Sequence, residues 1–305
     1  MFSAWSPRAG SLETEPLNGD AEPAPAVTLR DVGWSAGGRT VLDGLSMNVP
    51  EAGRYLLTGA NGAGKSVLLA LIAGRVRPDH GGIEIFDLAP GAESAAETGF
   101  APPLDLGGTG REALARLDGA ESGGVAYALD RTGLAGRADL PAAAYGSGDL
   151  RRLTIAAALV RPCALVLLDD PFDGLDADGV ADVTRLCGEL SDDGVTVVLA
   201  SRPHPALADL PTHVGMLSGG HLVAEGPAAA VRAALPAEVV IRTRDVILGL
   251  GVLRGLGLTD PRADRDHLTA TLTDDVPIDR VVQALVHGGV RVTSVTPAPP
   301  PYARL

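Results

Sequence analysis

Apolar positions in this chain fall into two rhythms, short unbroken blocks and longer stretches with helical spacing. The blocks Arg54-Tyr55-Leu56-Leu57-Thr58, Ala164–Leu168, Val195–Ala200 and Val214–Leu217 read as strands buried on both faces, as in a parallel sheet. Between them, Val67–Ala73, closed by Gly74, and Asp176–Leu190 read as helices. Shorter strand signals stand at Ile83–Phe86 and Thr98–Ala101, and Val27–Met47 reads as short strands around a Gly37-Gly38 turn. Arg111–Leu159 is rich in Ala and Leu and is broken by Gly123-Gly124, Gly133 and Pro141, so a helical insert spans about 103–160. Alternation of strands and helices predicts an α/β fold with a mostly parallel sheet core.

The pattern changes near Pro236. Glu238–Thr243 is strand-like, Asp245–Leu256 helix-like, Leu258–Pro261 a short strand, His267–Thr273 an alternating strand, Ile278–His287 a helix and Val290–Val295 a strand. That order, β-α-β-β-α-β, predicts a ferredoxin-like α+β module over 236–296 after a domain over 27–235. No catalytic spacing occurs in it, so the module reads as regulatory or dimerising, or as contributing to stability alone. Residues 1–26, rich in Pro, Ser, Glu and Gly, read as a disordered tail, and 297–305 as a loose proline-rich one.

Composition removes some classes of function. The chain has 305 residues and a net charge of −13, so no broad basic face would attract a polyanion, and nucleic acid is not an expected partner. Cys163 and Cys187 lie in apolar surroundings without metal-ligand spacing and read as buried thiols in a reducing compartment. The start of the chain lacks a cationic segment followed by an apolar one. The apolar blocks fall far short of the ~20 residues of a membrane helix. If the protein serves a membrane, another chain must form the path.

The chemistry concentrates in Gly59-Ala60-Asn61-Gly62-Ala63-Gly64-Lys65-Ser66, which fits G-x-x-x-x-G-K-[ST] between a predicted strand and a predicted helix. In that context glycines let backbone N–H groups wrap a phosphate, the helix N-terminus adds positive potential, Lys65 adds a point charge and Ser66 offers a hydroxyl to Mg²⁺. A glycine-rich turn with a chance lysine is the alternative, and the flanking elements argue against it. The block ending in Leu168-Asp169-Asp170-Pro171 delivers carboxylates at a strand's C-terminal end, where Asp169 can serve the same cation. A polyphosphate with Mg²⁺ is what these two elements predict together.

The order of these features resembles the nucleotide-binding domain of ATP-binding cassette (ABC) transporters. A phosphate loop is followed by a helical insert, a Tyr145-Gly146-Ser147-Gly148-Asp149 segment leading to Arg151-Arg152, the acidic strand, Gly174-Leu175-Asp176 and a closing hairpin from Ser218-Gly219-Gly220 to Glu225-Gly226. The extension ending in Val292-Thr293-Ser294-Val295-Thr296-Pro297 is similar to that of drug-resistance-type, daunorubicin-resistance-like exporter ATPases. The resemblance implies a P-loop cassette with an antiparallel β subdomain and a small helical subdomain. It also implies a homodimer or heterodimer of cassettes sandwiching two ATP molecules, and a separate membrane permease subunit holding the chain on the inner, cytoplasmic face of the cell membrane. It places Gly59, Asn61, Gly62, Ala63, Gly64, Lys65 and Ser66 on the phosphates, Ser66 and Asp169 on magnesium, and Ser147 and Gly148 on the ATP of the opposite cassette.

Several positions depart from the family pattern. The signature serine is replaced by Gly146, with Ser147 as a neighbouring hydroxyl, and Asp149 puts negative charge where glutamine is usual. The general-base glutamate becomes Asp170, one methylene shorter. The switch histidine falls on Arg202, which can meet a γ-phosphate but cannot exchange protons near neutral pH. His204, two residues on, reads either as a substitute or as an exposed turn histidine. The magnesium-sensing glutamine falls on Pro103. The adenine-stacking aromatic falls on Ala36, leaving Trp34 as the platform or as a core or edge aromatic.

Three functions compete on these observations. The first is an ATPase subunit of an efflux transporter, with Asp170 and Arg202 as its catalytic residues. The second is a catalytically weak nucleotide-binding regulatory subunit paired with a more active cassette. A soluble ribosome- or repair-type cassette is disfavoured by the missing second cassette, heptads and metal-spaced cysteines.

Overall fold

The computed structural model describes residues 25–89, 91–101, 104–235, 237–258, 261–273, 275–300 and 302. The predicted tail lies outside these residues except for its last two, which open the first strand, and Pro103 lies outside them altogether. The chain folds as two compact units, the first ending at Ala228 and the second beginning at Ala229. That boundary falls after the first residue of the Ala-rich helix Ala228–Ala234.

In the first unit, β1 (Pro25–Ala36) and β2 (Arg39–Pro50) form an antiparallel hairpin around Gly37-Gly38, joined on the other side of β1 by β4 (His80–Ile85). Strand β3 (Arg54–Gly59) leads through the glycine loop into α1 (Lys65–Ile72). After α2 (Ala92–Ala96) and β5 (Thr98–Phe100) comes the insert, built from α3 (Gly110–Ala115), α4 (Ser122–Arg131) and α5 (Ser147–Ala158). Then follow β6 (Leu165–Asp169), α6 (Ala177–Asp192), β7 (Thr196–Ser201), β8 (His213–Ser218) and β9 (His221–Pro227).

The central sheet has the order β5-β6-β7-β3-β8-β9, parallel except for the β8–β9 hairpin. Its register decides where chemistry can occur. Thr58 pairs with Ser201 and Asp169 with Ala200, so the C-terminal ends of β3, β6 and β7 finish at one level. Below that level the sheet is sealed. Leu165–Leu168 and Val197–Ala200 are at most 4% exposed, and the core continues through Leu68, Leu69, Leu71 and Ile72 of α1. Behind the site, the Tyr55 hydroxyl donates to Glu225 Oε1 at 3.0 Å, and burial pushes the phenol far above its usual range. Cys163 and Cys187 are buried, their thiols pushed up to about 12 by desolvation, and neither is paired.

The second unit contains α7 (Ala228–Ala234) apart from its first residue, β10 (Glu238–Thr243), α8 (Val246–Gly255), β11 (Arg262–Ala263), β12 (His267–Thr271), α9 (Ile278–His287) and β13 (Val292–Pro297). Its antiparallel sheet runs β11-β12-β10-β13, the strand order of a ferredoxin-like module. Val239, Ile241, Leu253, Leu268, Val281 and Leu285 form its own core. One expectation is corrected here. The short strand is Arg262–Ala263 rather than Leu258–Pro261, because Gly257 turns through φ 77°, Leu258 drops into the core and Pro261 has no N–H for a ladder. No described helix is long and apolar enough to cross a membrane.

Candidate functional site

The loop after β3 is shaped by two close approaches that only glycine tolerates. Gly59 sits at φ 151°, and a Cβ there would collide with the backbone carbonyl of Leu217 on the adjacent β8. Gly64 caps α1 at φ 102°, where a Cβ would stand 2.6 Å from Leu42 Cδ2 of β2. These contacts bring the loop down onto the sheet and leave the first N–H groups of α1 without intrahelical partners, facing the mouth. Lys65 is only 7% exposed, and its Nζ donates to the carbonyl oxygens of Gly59 (2.9 Å) and Ala60 (3.1 Å). Asn61, Gly62 and Ser66 are exposed along the rim, while Ala63 is buried.

Asp169 ends β6 beside this loop. Burial raises its pKa above the ordinary carboxylate range; the Ser66 hydroxyl opposes the rise, the neighbouring Asp170 adds to it, and Lys65 and Arg151 oppose it. Its Oδ1 is buried with no hydrogen-bond partner among the described residues. An orphaned carboxylate oxygen next to a hydroxyl is a site that a cation would satisfy. Among the described residues no group of three His, Cys, Asp or Glu side chains is arranged to hold a metal ion by itself. A metal held by Ser66 and Asp169 would therefore take its other ligands from phosphate and water, which suits Mg²⁺. The residues present fit a nucleoside triphosphate with its cation.

Asp170 begins the turn after β6 with φ 45°, unusual for a residue with a side chain, and its N–H donates to Ala200 O at 2.7 Å. Its Oδ1 accepts from the backbone N–H of Arg202 at 3.0 Å and lies 3.8 Å from the Arg202 Nε. Arg202 also donates from Nη2 to Asp173 Oδ1 at 2.7 Å. The structure thus brings Asp170 and Arg202 together. His204 is half-buried rather than an exposed turn residue. Its ring stacks on Phe172 with centroids 5.0 Å apart, Nδ1 accepts from Ala206 N at 3.2 Å, and burial lowers its pKa.

The signature-like segment is arranged differently. Gly146 is the N-cap of α5 and supplies no side-chain bond. The Ser147 hydroxyl donates to the Gly174 carbonyl at 3.3 Å, and Gly148 stands next to the same turn. Asp149, in the first turn of α5, is paired with Arg137 at 3.1 Å, so its charge is compensated locally. Trp34 is half-buried against the core on the β1–β2 hairpin, opposite Leu42, while Ala36 is exposed.

Sequence reasoning gave no site role to three residues that this geometry brings in: Asp173, Arg151 and Arg137. Arg151 of α5 donates from Nε to Asp173 O (3.2 Å), from Nη1 to Asp169 O (3.4 Å) and from Nη2 to Asp173 Oδ2 (3.4 Å). The available signal was charge balance. Asp169, Asp170 and Asp173 crowd one short turn, and such a cluster needs basic partners from elsewhere.

Known proteins share the fold and the family pattern of this chain. A family model described as ABC transporter matches residues 42–173. The cytochrome c biogenesis ATP-binding export protein CcmA of Salmonella typhi is 32% identical over 201 residues, covering 63% of this chain and 97% of that protein. The daunorubicin resistance ATP-binding protein DrrA3 of Streptomyces coeruleorubidus is 28% identical over 295 residues, covering 88% of this chain and 91% of the relative. Among solved structures, an ATP-binding subunit of an ABC transporter superposes with a TM-score of 0.61 at 22% identity, covering 68% of this chain and 92% of the other. The dimeric cassette MJ0796 bound to ADP and Pi gives 0.60 at 22% identity, covering 66% and 98%.

Proposed function

Because the chain belongs to the ABC transporter family, whose cassettes are ATPases, we propose that it is the ATP-binding subunit of an efflux transporter. It drives export through a separate membrane permease subunit, on the cytoplasmic face of the cell membrane. The export and drug-resistance names of its relatives support this direction. In this reading the two cassettes of the assembly, identical or related, enclose ATP between the glycine loop of one and the Ser147-Gly148 segment of the other.

The observation that carries the reading is Asp169. It is a buried acid with an unpartnered oxygen, beside Ser66, at the mouth of a loop that closes on the N-terminus of α1. Backbone N–H groups from Gly62 to Ser66 and the Lys65 ammonium hold the phosphates, for which Lys65 exchanges its loop carbonyls. Ser66 and Asp169 would hold magnesium, which when bound would supply positive charge against the phosphates. Asp170 orients and deprotonates the attacking water through the carboxylate oxygen that Arg202 N–H does not occupy. Trp34 is the candidate adenine platform. The domain assignment proposed with this reading keeps the cassette and the α+β module as separate functional parts, the module regulating or dimerising.

The test is magnesium-dependent phosphate release by purified protein. Wild type is expected to turn over ATP, Lys65→Ala to fall to background, and Asp170→Asn to lose roughly 10²- to 10⁴-fold in kcat. A second reading, a regulatory cassette with little turnover, is favoured by Gly146, the N-cap of α5, which offers no hydroxyl to a phosphate. Equal background release by wild type and Lys65→Ala, with ATP still raising the wild-type Tm, would select it.

A further inference from the structure

Asp173 lies between two arginines that come from different parts of the fold. Its Oδ1 receives Arg202 Nη2 at 2.7 Å from the segment after β7, and its Oδ2 lies 3.4 Å from Arg151 Nη2 on α5. Arg202 also faces Asp170, with its Nε 3.8 Å from Oδ1. The guanidinium is thus held by one hydrogen bond through Nη2 and a longer ionic contact through Nε, and Nη1 has no bonded partner among the described residues. A planar five-donor group held in this way presents its remaining donors in a fixed direction.

The pair between Arg202 and Asp173 is about half exposed, with side-chain exposures of 49% and 52%. Ion pairs in such surroundings add little to fold stability. Its consequence is geometric. Without Asp173, the guanidinium would keep, among the described residues, only its 3.8 Å contact with Asp170. Arg151 adds a second constraint, because it bonds both the Asp173 side chain and the Asp169 and Asp173 carbonyls, tying the turn that carries Asp170 to α5.

We propose that Asp173 is a positioning residue of the ATPase centre: it sets the direction of the Arg202 guanidinium beside Asp170, and through Arg151 it couples that setting to helix α5. The inference rests on the ATPase reading above and assigns this chain's arginine a partner that a switch histidine at this position would not require. Asp173 touches neither the phosphates nor the attacking water. It acts through Arg202.

The experiment is steady-state ATPase kinetics on the full chain with Lys65→Ala as the control. Asp173→Asn and Arg202→Ala are each expected to lower kcat on the order of 10- to 100-fold, the cost of misplacing a charged group near the reacting atoms, with KM for MgATP changed less than about twofold. The Asp173→Asn/Arg202→Ala double variant is expected to be no slower than Arg202→Ala alone, since both changes remove one device. Asp173→Glu, which keeps the charge, is expected to recover most of the rate, and thermal melting of all variants should match wild type. Additive losses in the double variant, a loss that appears in KM alone, or wild-type turnover in Asp173→Asn would each overturn the proposal while leaving the ATPase reading intact. Turnover independent of Lys65 in wild type would overturn both.

Discussion

The glycine loop and the Asp170–Arg202 corner sit at the same edge of one sheet, yet they are made of different material. The loop is a backbone device: glycines at φ 151° and 102° press it against Leu217 and Leu42, and the side chains it must specify are Lys65 and Ser66. The corner is a side-chain device, in which Asp170, Asp173, Arg202 and Arg151 hold one another through five contacts of 2.7–3.8 Å between side chains or from side chain to backbone. A backbone device has almost no substitutes, since a single Cβ destroys its geometry. A side-chain device can be rebuilt with other residues provided their charges and reach still match. On the resemblance drawn from the sequence, the difference accounts for a loop that fits G-x-x-x-x-G-K-[ST] beside a corner built on Asp170 and Arg202.

The hardest test of that contrast is a methyl group. Gly59→Ala forces Cβ onto the Leu217 carbonyl at a positive φ and is expected to destabilise the first unit by roughly 2–4 kcal/mol. Gly62→Ala, also at positive φ (79°) but with nothing within 4 Å, is expected to cost only about 1 kcal/mol. Calorimetry on the two variants checks the difference. Equal Tm values would mean that the close approach to β8 does not shape the loop.

Asp169 stands between the two devices and gives the next largest effect. Its folded-state pKa is raised, chiefly by burial, so its contribution to stability is full below the unfolded value of about 3.9 and is lost as pH rises through the folded value. At neutral pH the ionised group therefore weakens the metal-free fold. Asp169→Asn is expected to raise the Tm of the metal-free protein at pH 7, with less gain at pH 4. The same variant should lose the magnesium-dependent part of the ATP-induced Tm increase. A lower metal-free Tm would show that Asp169 is a structural acid and remove it from the cation site.

The same contrast governs what could be read from the chain before folding. The loop, the strands around it and the closing hairpin were legible because apolar blocks and glycine spacings are local patterns. The β-α-β-β-α-β order of the second unit was legible for the same reason, but its shortest strand was misplaced: the two residues of β11 carry too little pattern to outweigh Leu258, which looks like strand and is core. Asp173 was invisible because its partners are 22 and 29 residues away, and only the register of β6 with β7 decides which arginine arrives. His204 shows the same limit. Its exposure depended on Phe172, a ring brought against it by the fold rather than by spacing.

Ser147 offers the finest cut, since it is a side chain doing a backbone job. Its hydroxyl donates to the Gly174 carbonyl at 3.3 Å, a long and exposed bond that fastens the start of α5 to the turn before α6. Such a bond contributes about 0.5–1.5 kcal/mol at most, so Ser147→Ala is expected to move Tm by no more than roughly 2–4 °C. ATP-promoted self-association, read by sedimentation with Lys65→Ala as the control, should weaken only a few-fold if the hydroxyl stays on Gly174. If it leaves Gly174 for a phosphate of the opposite nucleotide, it becomes a charge-assisted contact, and its removal would weaken association tenfold or more with Tm unchanged. The second result would move the signature segment from the side of structural fastening to that of the nucleotide site, with Ser147 replacing the hydroxyl that Gly146 cannot supply.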